Sequence, residues 1–197
     1  MKRKAHVARI AVAALVVSTI LSLTLWTPAS AQIVPPNRNA ANLSAAFFSG
    51  SPVWEVGFSY GLTPRLDLTA FWGYQSSSPT GNLVDAGLRY HFPLPTPGTD
   101  VFVGAGVANI SGTLPGFGAQ SSTGLSIGAG GSLRLAPTVT GYASAGIFAF
   151  SGSSNSIVDF GVQLALAPRL SGQIGLVDYA GTSAGYVGLT LTFPGIY

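Results

Sequence analysis

The residues of this chain that could support catalysis are few and poorly placed for it. Gly124, Ser126 and Gly128 match the G-x-S-x-G pattern of hydrolase nucleophiles, but that motif requires a sharp turn between a strand and a helix. Here it lies inside a segment that alternates apolar and small residues, as a strand does. His91 is the one histidine beyond the N-terminal segment, and cysteine is absent. We therefore predict no enzyme activity, no catalytic residue, no metal site and no cofactor.

The first 31 residues have the three parts of a secretory signal peptide. Four Lys or Arg residues precede an uncharged apolar run at 10–26, and residues 29–31 form a small-x-small cleavage site. A single transmembrane helix is the alternative, because this run touches the lower length limit for spanning. The cleavage site and the alternating pattern beyond it favour the signal peptide. The predicted mature chain is therefore 32–197.

Removing the signal peptide reverses the sign of the net charge. The full sequence carries +3, but the part after residue 31 has five arginines against six carboxylates, a net charge of −1. The basic character thus belongs to the precursor, and we predict no nucleic-acid binding.

The composition indicates a membrane β-barrel. Only 8% of the residues are charged, against roughly 25% in an ordinary soluble domain. No apolar run after residue 26 is long enough for a membrane helix. A closed barrel pairs its backbone groups between strands while only alternate side chains meet lipid, which reconciles the two facts.

The strand pattern predicts an all-β, antiparallel up-and-down transmembrane barrel of ten strands, with eight as the alternative. Residues 32–41 are expected to form a short N-terminal periplasmic tail, and 42–197 the barrel. The predicted strands lie approximately at residues 42–48, 53–62, 66–75, 83–92, 100–110, 122–135, 139–149, 156–166, 170–178 and 184–193.

Proline-centred turns decide between ten and eight strands. An aliphatic residue, Thr or Ala, proline, any residue and another aliphatic residue recur at 62–66, 135–139 and 166–170. Proline cannot donate to a strand ladder, so each unit marks a hairpin turn. In the ten-strand count, these turns and the proline-rich segment 92–99 all fall on one side. We expect that side to be periplasmic, because outer-membrane barrels keep short turns there.

Aromatic residues on the apolar strand faces fall near both ends of the strands. Rings with a polar edge suit the two interfaces of a membrane, which gives barrels aromatic girdles. The predicted extracellular girdle comprises Trp54, Trp72 and Tyr74, and the periplasmic girdle Tyr60, Tyr90, Phe92 and Phe193.

The opposite strand faces carry the charges that the lumen must accommodate. These lumen candidates are Glu55, Asp85 and Asp159 in the extracellular half, and Arg89, Arg134, Asp67 and His91 towards the periplasmic rim. A ring of carboxylates would favour cations at an open entrance. The alternative is a set of salt bridges that brace a closed barrel. The many glycines of inward parity leave both a water-filled passage and a lumen crossed by aromatic rings as possibilities.

The chain resembles the small bacterial outer-membrane β-barrel proteins, the group that includes OmpA-like and OmpX-like barrels. The likeness rests on the signal peptide, the alternating strands, the girdles and the last strand, in which Val187, Leu189, Leu191 and Phe193 alternate. In that family the last strand ends in an aromatic residue that the barrel assembly machinery recognises. The resemblance implies location in the bacterial outer membrane, with lipid and that machinery as partners.

Two functions follow as expectations for a barrel that we expect to be monomeric. The first is a small passive pore or a membrane-stabilising barrel without covalent chemistry. The second is a binding module that holds a small or amphiphilic ligand in its lumen. The sequence does not decide whether the lumen is open or plugged.

Overall fold

Ten antiparallel strands form the whole of the described fold. The computed structural model describes residues 38–48 and 51–194. Within these ranges, no helix is long and apolar enough to cross a membrane. The strands are β1 (Arg38–Phe48), β2 (Ser51–Thr63), β3 (Leu66–Gln75), β4 (Gly81–Phe92), β5 (Thr99–Leu114), β6 (Gly118–Ala136), β7 (Val139–Phe150), β8 (Ser153–Ala167), β9 (Leu170–Tyr179) and β10 (Thr182–Pro194).

The sheet closes on itself as an up-and-down barrel. Each strand pairs with its neighbours in sequence, and β1 pairs with β10, for example Leu43 with Leu189. Closure leaves no strand edge unpaired, as a membrane barrel requires. The predicted fold class and the strand count of ten are confirmed.

The barrel has two distinct ends. The turn end contains the connections after β2, β4, β6 and β8 together with Arg38 and Pro194, which pair with each other. The loop end contains the other five connections. All three repeated proline units lie at the turn end, and each coincides with a shift in strand register.

Each connection at the turn end is hydrogen-bonded to the end of a later strand. The carbonyl of Arg65 accepts from the backbone N–H of His91 in β4, and that of Gly98 accepts from Arg134 in β6. Thr138 and Arg169 accept in the same way from Ala165 in β8 and Thr192 in β10. The four bonds, each 2.8 or 2.9 Å, link successive hairpins around the rim.

Alternating side chains give the barrel an apolar outside and a mixed inside. Along β10, Val187, Leu189 and Leu191 are exposed on the outer surface, whereas Tyr186 and Thr190, which alternate with them, are buried. The same period-two alternation is the general pattern of the strands, although neighbours such as Ser144 and Ala145 of β7 are both buried.

Two predicted boundaries need correction. β1 begins at Arg38, so residues 38–41 pair in the sheet instead of belonging to a tail. The predicted strands 100–110 and 122–135 left residues 111–121 as a loop, which is wrong, because β5 runs to Leu114 and β6 begins at Gly118. The ladder continues through pairs such as Thr113 with Ala119 and makes this the longest hairpin of the barrel. The predicted signal peptide and residues 32–37 lie outside the described residues.

Candidate functional site

Six of the seven lumen candidates are buried inside the barrel. These are Glu55, Asp67, Asp85, Asp159, Arg89 and His91. Arg134 differs: it is exposed at the turn end, where the register of β6 shifts before Ala136. Arg134 still pairs with Thr140 in the register of the preceding residues, so it is exposed at the rim of the barrel and its expected inward position stays a prediction.

Four of the buried charges meet near the turn end. Nη2 of Arg89 lies 2.9 Å from Oδ2 of Asp67, and Nε2 of His91 lies 2.9 Å from the same oxygen. Nδ1 of His91 lies 2.9 Å from Oδ1 of Asp100. Both ring nitrogens therefore face carboxylates, and each can donate to its partner only if both carry protons. We call Asp67, Arg89, His91 and Asp100 the ionic cluster; with an imidazolium its charges balance.

Further contacts fix the ionic cluster to the barrel wall. Ser59 donates to Asp67 at 3.2 Å and accepts from Arg89 at 3.0 Å. The guanidinium carbon of Arg89 lies 5.0 Å from the centre of the Phe102 ring, within the range of a cation–π contact. The cluster thus joins four consecutive strands, β2 to β5.

The carboxylates Glu55 and Asp85 are bound by hydroxyl groups. Glu55 accepts from Ser44 at 2.8 Å and from Tyr179, which reaches it from β9. Asp85 accepts from Ser126 at 2.6 Å. Ser126 belongs to the G-x-S-x-G match, yet it lies within β6 and bonds a carboxylate. Ser126 therefore lies in a regular strand and not at the strand-to-helix turn that the motif requires.

A polar wall faces the lumen where β1, β10 and β9 meet. Asn42 donates to Gln173 and to Thr190, both at 3.2 Å, and Gln173 also donates to Thr190. All three residues are buried. These amides and hydroxyls form a continuous hydrogen-bonded patch across the closing seam of the barrel.

An apolar plug fills the lumen at the loop end. It comprises buried side chains from six strands and one turn: Phe48, Leu83, Ile110, Leu114, Phe117, Phe148, Phe150, Ile157 and Tyr179. The centre of the Phe117 ring lies 5.8 Å from that of Phe148 and 5.8 Å from that of Tyr179, both in edge-to-face geometry. Phe48 lies 5.0 Å from Tyr179. Such ring pairs stabilise beyond the area that they bury.

The tip of the β5–β6 hairpin supplies the centre of this plug. Phe117 sits in that tip and is 7% exposed, an unusual position for a ring in a three-residue turn. The preceding Gly116 has φ +75° and leaves no room for a side chain, because a Cβ there would lie 1.7 Å from the carbonyl oxygen of Tyr179. The tip therefore folds across the mouth of the barrel and packs on the end of β9.

The predicted girdle residues lie on the outer surface near the two ends. Trp54 and Trp72 are exposed at the loop end, and the rings of Trp72 and Tyr74 stack at 5.5 Å. At the turn end, exposed aromatic rings come from β2, β4 and β10: Tyr60, Tyr90, Phe92 and Phe193.

Three residues of the lumen escaped the sequence analysis as site residues. Asp100 lies on the same face of β5 as Phe102 and the glycines that follow it, and this alternation could have assigned it to the lumen. Tyr179 lies at the very end of β9, and Phe117 lies in a segment that looked like a loop. No group of residues in the described part of the chain has the arrangement of a metal site.

Comparison with known proteins adds information about the fold. No protein-family model and no curated protein matches the chain. A KdgM porin solved in complex with disordered oligogalacturonate has a TM-score of 0.51 at 10% identity, over 78% of this chain and 99% of the porin. The fold is that of an outer-membrane β-barrel.

Two further barrels are similar at lower scores. The N-terminal β-barrel domain of Pseudomonas aeruginosa OprF has a TM-score of 0.42 at 15% identity, over 80% of this chain and 98% of that domain. A de novo designed transmembrane β-barrel has a TM-score of 0.49 at 12% identity, over 80% and 97%. At such identities the likeness concerns the architecture alone and transfers no activity to this chain.

Proposed function

We propose that this chain is a closed, membrane-stabilising barrel of the bacterial outer membrane, without covalent chemistry. The observation that carries the proposal is the apolar plug, because rings packed across a lumen exclude the water that a passive pore needs. The competing function is the small passive pore, which requires the plug to be absent or displaced.

The outer surface supports residence in a membrane. Large apolar side chains such as Leu125, Phe160 and Leu189 are exposed around the barrel, while carboxylates and amides are buried inside it. This arrangement inverts that of a soluble protein and matches a bilayer as the outer solvent. Apolar exposure on this scale would drive association in water.

The lumen supports closure from both ends. The plug occupies the loop end, and the ionic cluster crosses part of the turn end with its charges balanced internally. A carboxylate bound by Arg89 and His91 is not free to attract passing ions, unlike the charged ring of a selective channel. The buried pairs therefore serve to brace strands β2 to β5.

We propose the same orientation and assembly route as in other barrels of this kind. The turn end would face the periplasm, and β10, with outward Leu189, Leu191 and Phe193, would be the strand that the assembly machinery recognises. The barrel would work as a monomer with lipid as its main partner.

Two measurements on the protein purified from membranes test this function. Cell fractionation should recover it with the outer membrane, and the purified protein should be silent in a planar bilayer across a range of voltages. Regular conductance steps from the folded wild-type protein would overturn the closed barrel in favour of a passive pore. Recovery with the soluble periplasmic fraction would overturn the membrane location.

A further inference from the structure

Three exposed arginines lie at the turn end of the barrel. Arg65 lies in the turn after β2, Arg134 at the end of β6 and Arg169 in the turn after β8. The carboxylates of the described residues are buried, except that of Asp178, which is half-buried at the loop end. The exposed charge of the described barrel is therefore positive and confined to one end.

These arginines have no acidic partner within the described barrel. None of the three guanidinium groups forms an ion pair with a carboxylate of residues 38–48 or 51–194. The carboxylates nearest to this rim, Asp67 and Asp100, are bound inside the ionic cluster. That cluster balances its own charges, so it does not neutralise the arginines outside it. The rim is thus free to attract an anionic partner.

Backbone hydrogen bonds hold two of the arginines beside the aromatic girdle. The carbonyl of Arg65 accepts from the N–H of His91 and that of Arg169 from the N–H of Thr192, both at 2.8 Å. The residue after each donor is an exposed girdle phenylalanine. Aromatic rings of this kind mark the boundary between the hydrocarbon core and the headgroups of a membrane. Both arginines are therefore fixed at the level of the headgroups.

The third arginine is held against the neighbouring turn. The N–H of Arg134 donates to the carbonyl of Gly98 at 2.8 Å. A Cβ on Gly98 would lie 2.8 Å from Cβ of Arg134 and 3.5 Å from its Cδ and Nε, so the stem of the arginine runs over this glycine. Leu133 and Leu135, on either side of it in β6, are exposed apolar residues. Arg134 thus lies where the apolar surface meets the rim.

The three arginines are spread around the rim of the barrel. Three strands, β3 to β5, separate Arg65 from Arg134, and two strands, β7 and β8, separate Arg134 from Arg169. Four strands separate Arg169 from Arg65 across the closing seam. Neighbouring strands lie about 5 Å apart, so the gaps span about 10–20 Å. A compact anion contacts one such position, whereas the lipids that surround a barrel contact all three.

We propose that Arg65, Arg134 and Arg169 bind the phosphate groups of anionic phospholipids in the leaflet around the turn end. A guanidinium donates two parallel hydrogen bonds to a phosphate. The apolar stem of an arginine can lie along acyl chains while its charged head stays among the headgroups. The proposal rests on the proposed membrane location, because headgroups surround this rim only in a bilayer.

Tryptophan quenching by brominated lipids can compare the two ends of the barrel. The predicted mature chain has two tryptophans, Trp54 and Trp72, and both are exposed at the loop end. The variant Trp54→Phe, Trp72→Phe, Phe92→Trp instead carries one reporter at the turn end, beside the strand end that bonds Arg65. Both proteins are placed in vesicles of phosphatidylcholine and phosphatidylglycerol at one fixed ratio, in which either the first or the second lipid is brominated.

Brominated phosphatidylglycerol, the anionic lipid, should quench the turn-end reporter preferentially. We expect its association constant at this reporter to exceed that of phosphatidylcholine by about fivefold or more, because each basic residue near an anionic surface contributes about that factor. The tryptophans at the loop end should show no preference, since no described residue there is basic.

Substitution of the arginines near the reporter should remove the preference. Arg65→Gln, Arg134→Gln removes both charges and leaves the backbone bonds of the rim in place. The matched control is Arg169→Gln, which β5 to β8 separate from the reporter. That separation is about 20 Å, well beyond the Debye length of about 8 Å at physiological salt. The control should therefore keep the preference of the unsubstituted reporter protein.

Three results would overturn the proposal, and a fourth would contradict the membrane location instead. Equal quenching of the turn-end reporter by the two lipids would show that the rim does not select anionic headgroups. A preference that survives in the double arginine variant would place the anionic lipid at other groups. Loss of the preference in millimolar inorganic phosphate, at constant ionic strength, would assign the arginines to a soluble anion.

The membrane location fails separately if neither brominated lipid quenches the turn-end reporter. If the double arginine variant does not fold, the single change Arg65→Gln and the comparison between the two ends of the barrel decide between the same outcomes.

Discussion

The hydroxyl of Tyr179 donates to the carboxylate of Glu55, although their strands β9 and β2 are separated in the sheet by β10 and β1. The bond therefore crosses the lumen and does not follow the wall. It connects the two strands that flank the seam where the chain closes on itself. Ser44 of β1 donates to the same carboxylate from within that seam.

We predict that Tyr179→Phe destabilises the barrel. The ring keeps its place in the apolar plug, but Glu55 loses a hydrogen bond while staying buried, which costs about 1–3 kcal/mol. Urea unfolding in detergent micelles measures the loss. Tyr60→Phe, on the outer surface, serves as control and should change the free energy of unfolding by no more than about 0.5 kcal/mol. Equal effects of the two changes would show that the hydrogen bond from Tyr179 to Glu55 does not stabilise the barrel.

The ionic cluster should be far more sensitive than the exposed charges nearby. Arg89→Met leaves Asp67 buried with one cation fewer, and breaking a buried pair from one side costs about 3–5 kcal/mol. Arg65→Met, in the exposed turn after β2, should stay within about 0.5 kcal/mol of the wild-type protein. Chemical unfolding of both variants provides the comparison. A small loss for Arg89→Met would show that the cluster does not brace the wall.

The hairpin tip offers a matched pair of glycines. Gly116 and Gly118 have φ +75° and +68°, but a Cβ meets the Tyr179 carbonyl at Gly116 and nothing within 4 Å at Gly118. Gly118→Ala should cost about 1 kcal/mol from backbone strain. Gly116→Ala should cost about 3 kcal/mol or more, because the clash adds to the strain.

The same pair tests the plug as the closure of the lumen. Displacing the tip moves Phe117 off Phe148 and Tyr179, so Gly116→Ala should give conductance steps in a planar bilayer that Gly118→Ala does not give. If both variants stay silent while Gly116→Ala is clearly destabilised, the remaining plug residues suffice to close the barrel.

A charged residue placed on the outer surface of the barrel should show whether that surface faces lipid or water. Leu189 lies outward near the middle of β10, where an arginine facing lipid costs about 2–4 kcal/mol. Ser153→Arg, at the exposed loop end, should cost no more than about 0.5 kcal/mol. Folding into vesicles, followed by urea titration, measures both. A neutral or favourable Leu189→Arg change would indicate that this surface faces water.

The barrel architecture could be predicted from the sequence because the turn signals and the alternation of apolar side chains indicate the same strands. The proline units at 62–66, 135–139 and 166–170 cannot lie inside a ladder, and period-two alternation between them assigns each face without ambiguity. The inward position of six charged residues followed from that parity alone. All six are buried in the structure, while their roles remain proposals.

Contacts across the lumen could not be predicted in the same way. Parity shows that Glu55 and Tyr179 face inward, but only the closed geometry brings β2 opposite β9. The β5–β6 tip was missed because its glycines and serines are typical of a loop, whereas the ladder partners that hold them in strands lie several residues away along the chain.

The hydrogen bonds that link the turns at the turn end to later strands bear on how the barrel closes between β1 and β10. Each turn holds the returning strand of the following hairpin, so neighbouring hairpins are tied in sequence order from β2 to β10. The join between β1 and β10 has no connecting turn, and it is here that side chains bridge strands from within: Asn42 with Gln173 and Thr190, and Glu55 with Ser44 and Tyr179. Chain connectivity thus secures nine of the junctions, and polar side chains reinforce the tenth. A circular permutant that joins the two chain ends and opens a loop-end connection should therefore depend less on those side chains than the natural order does.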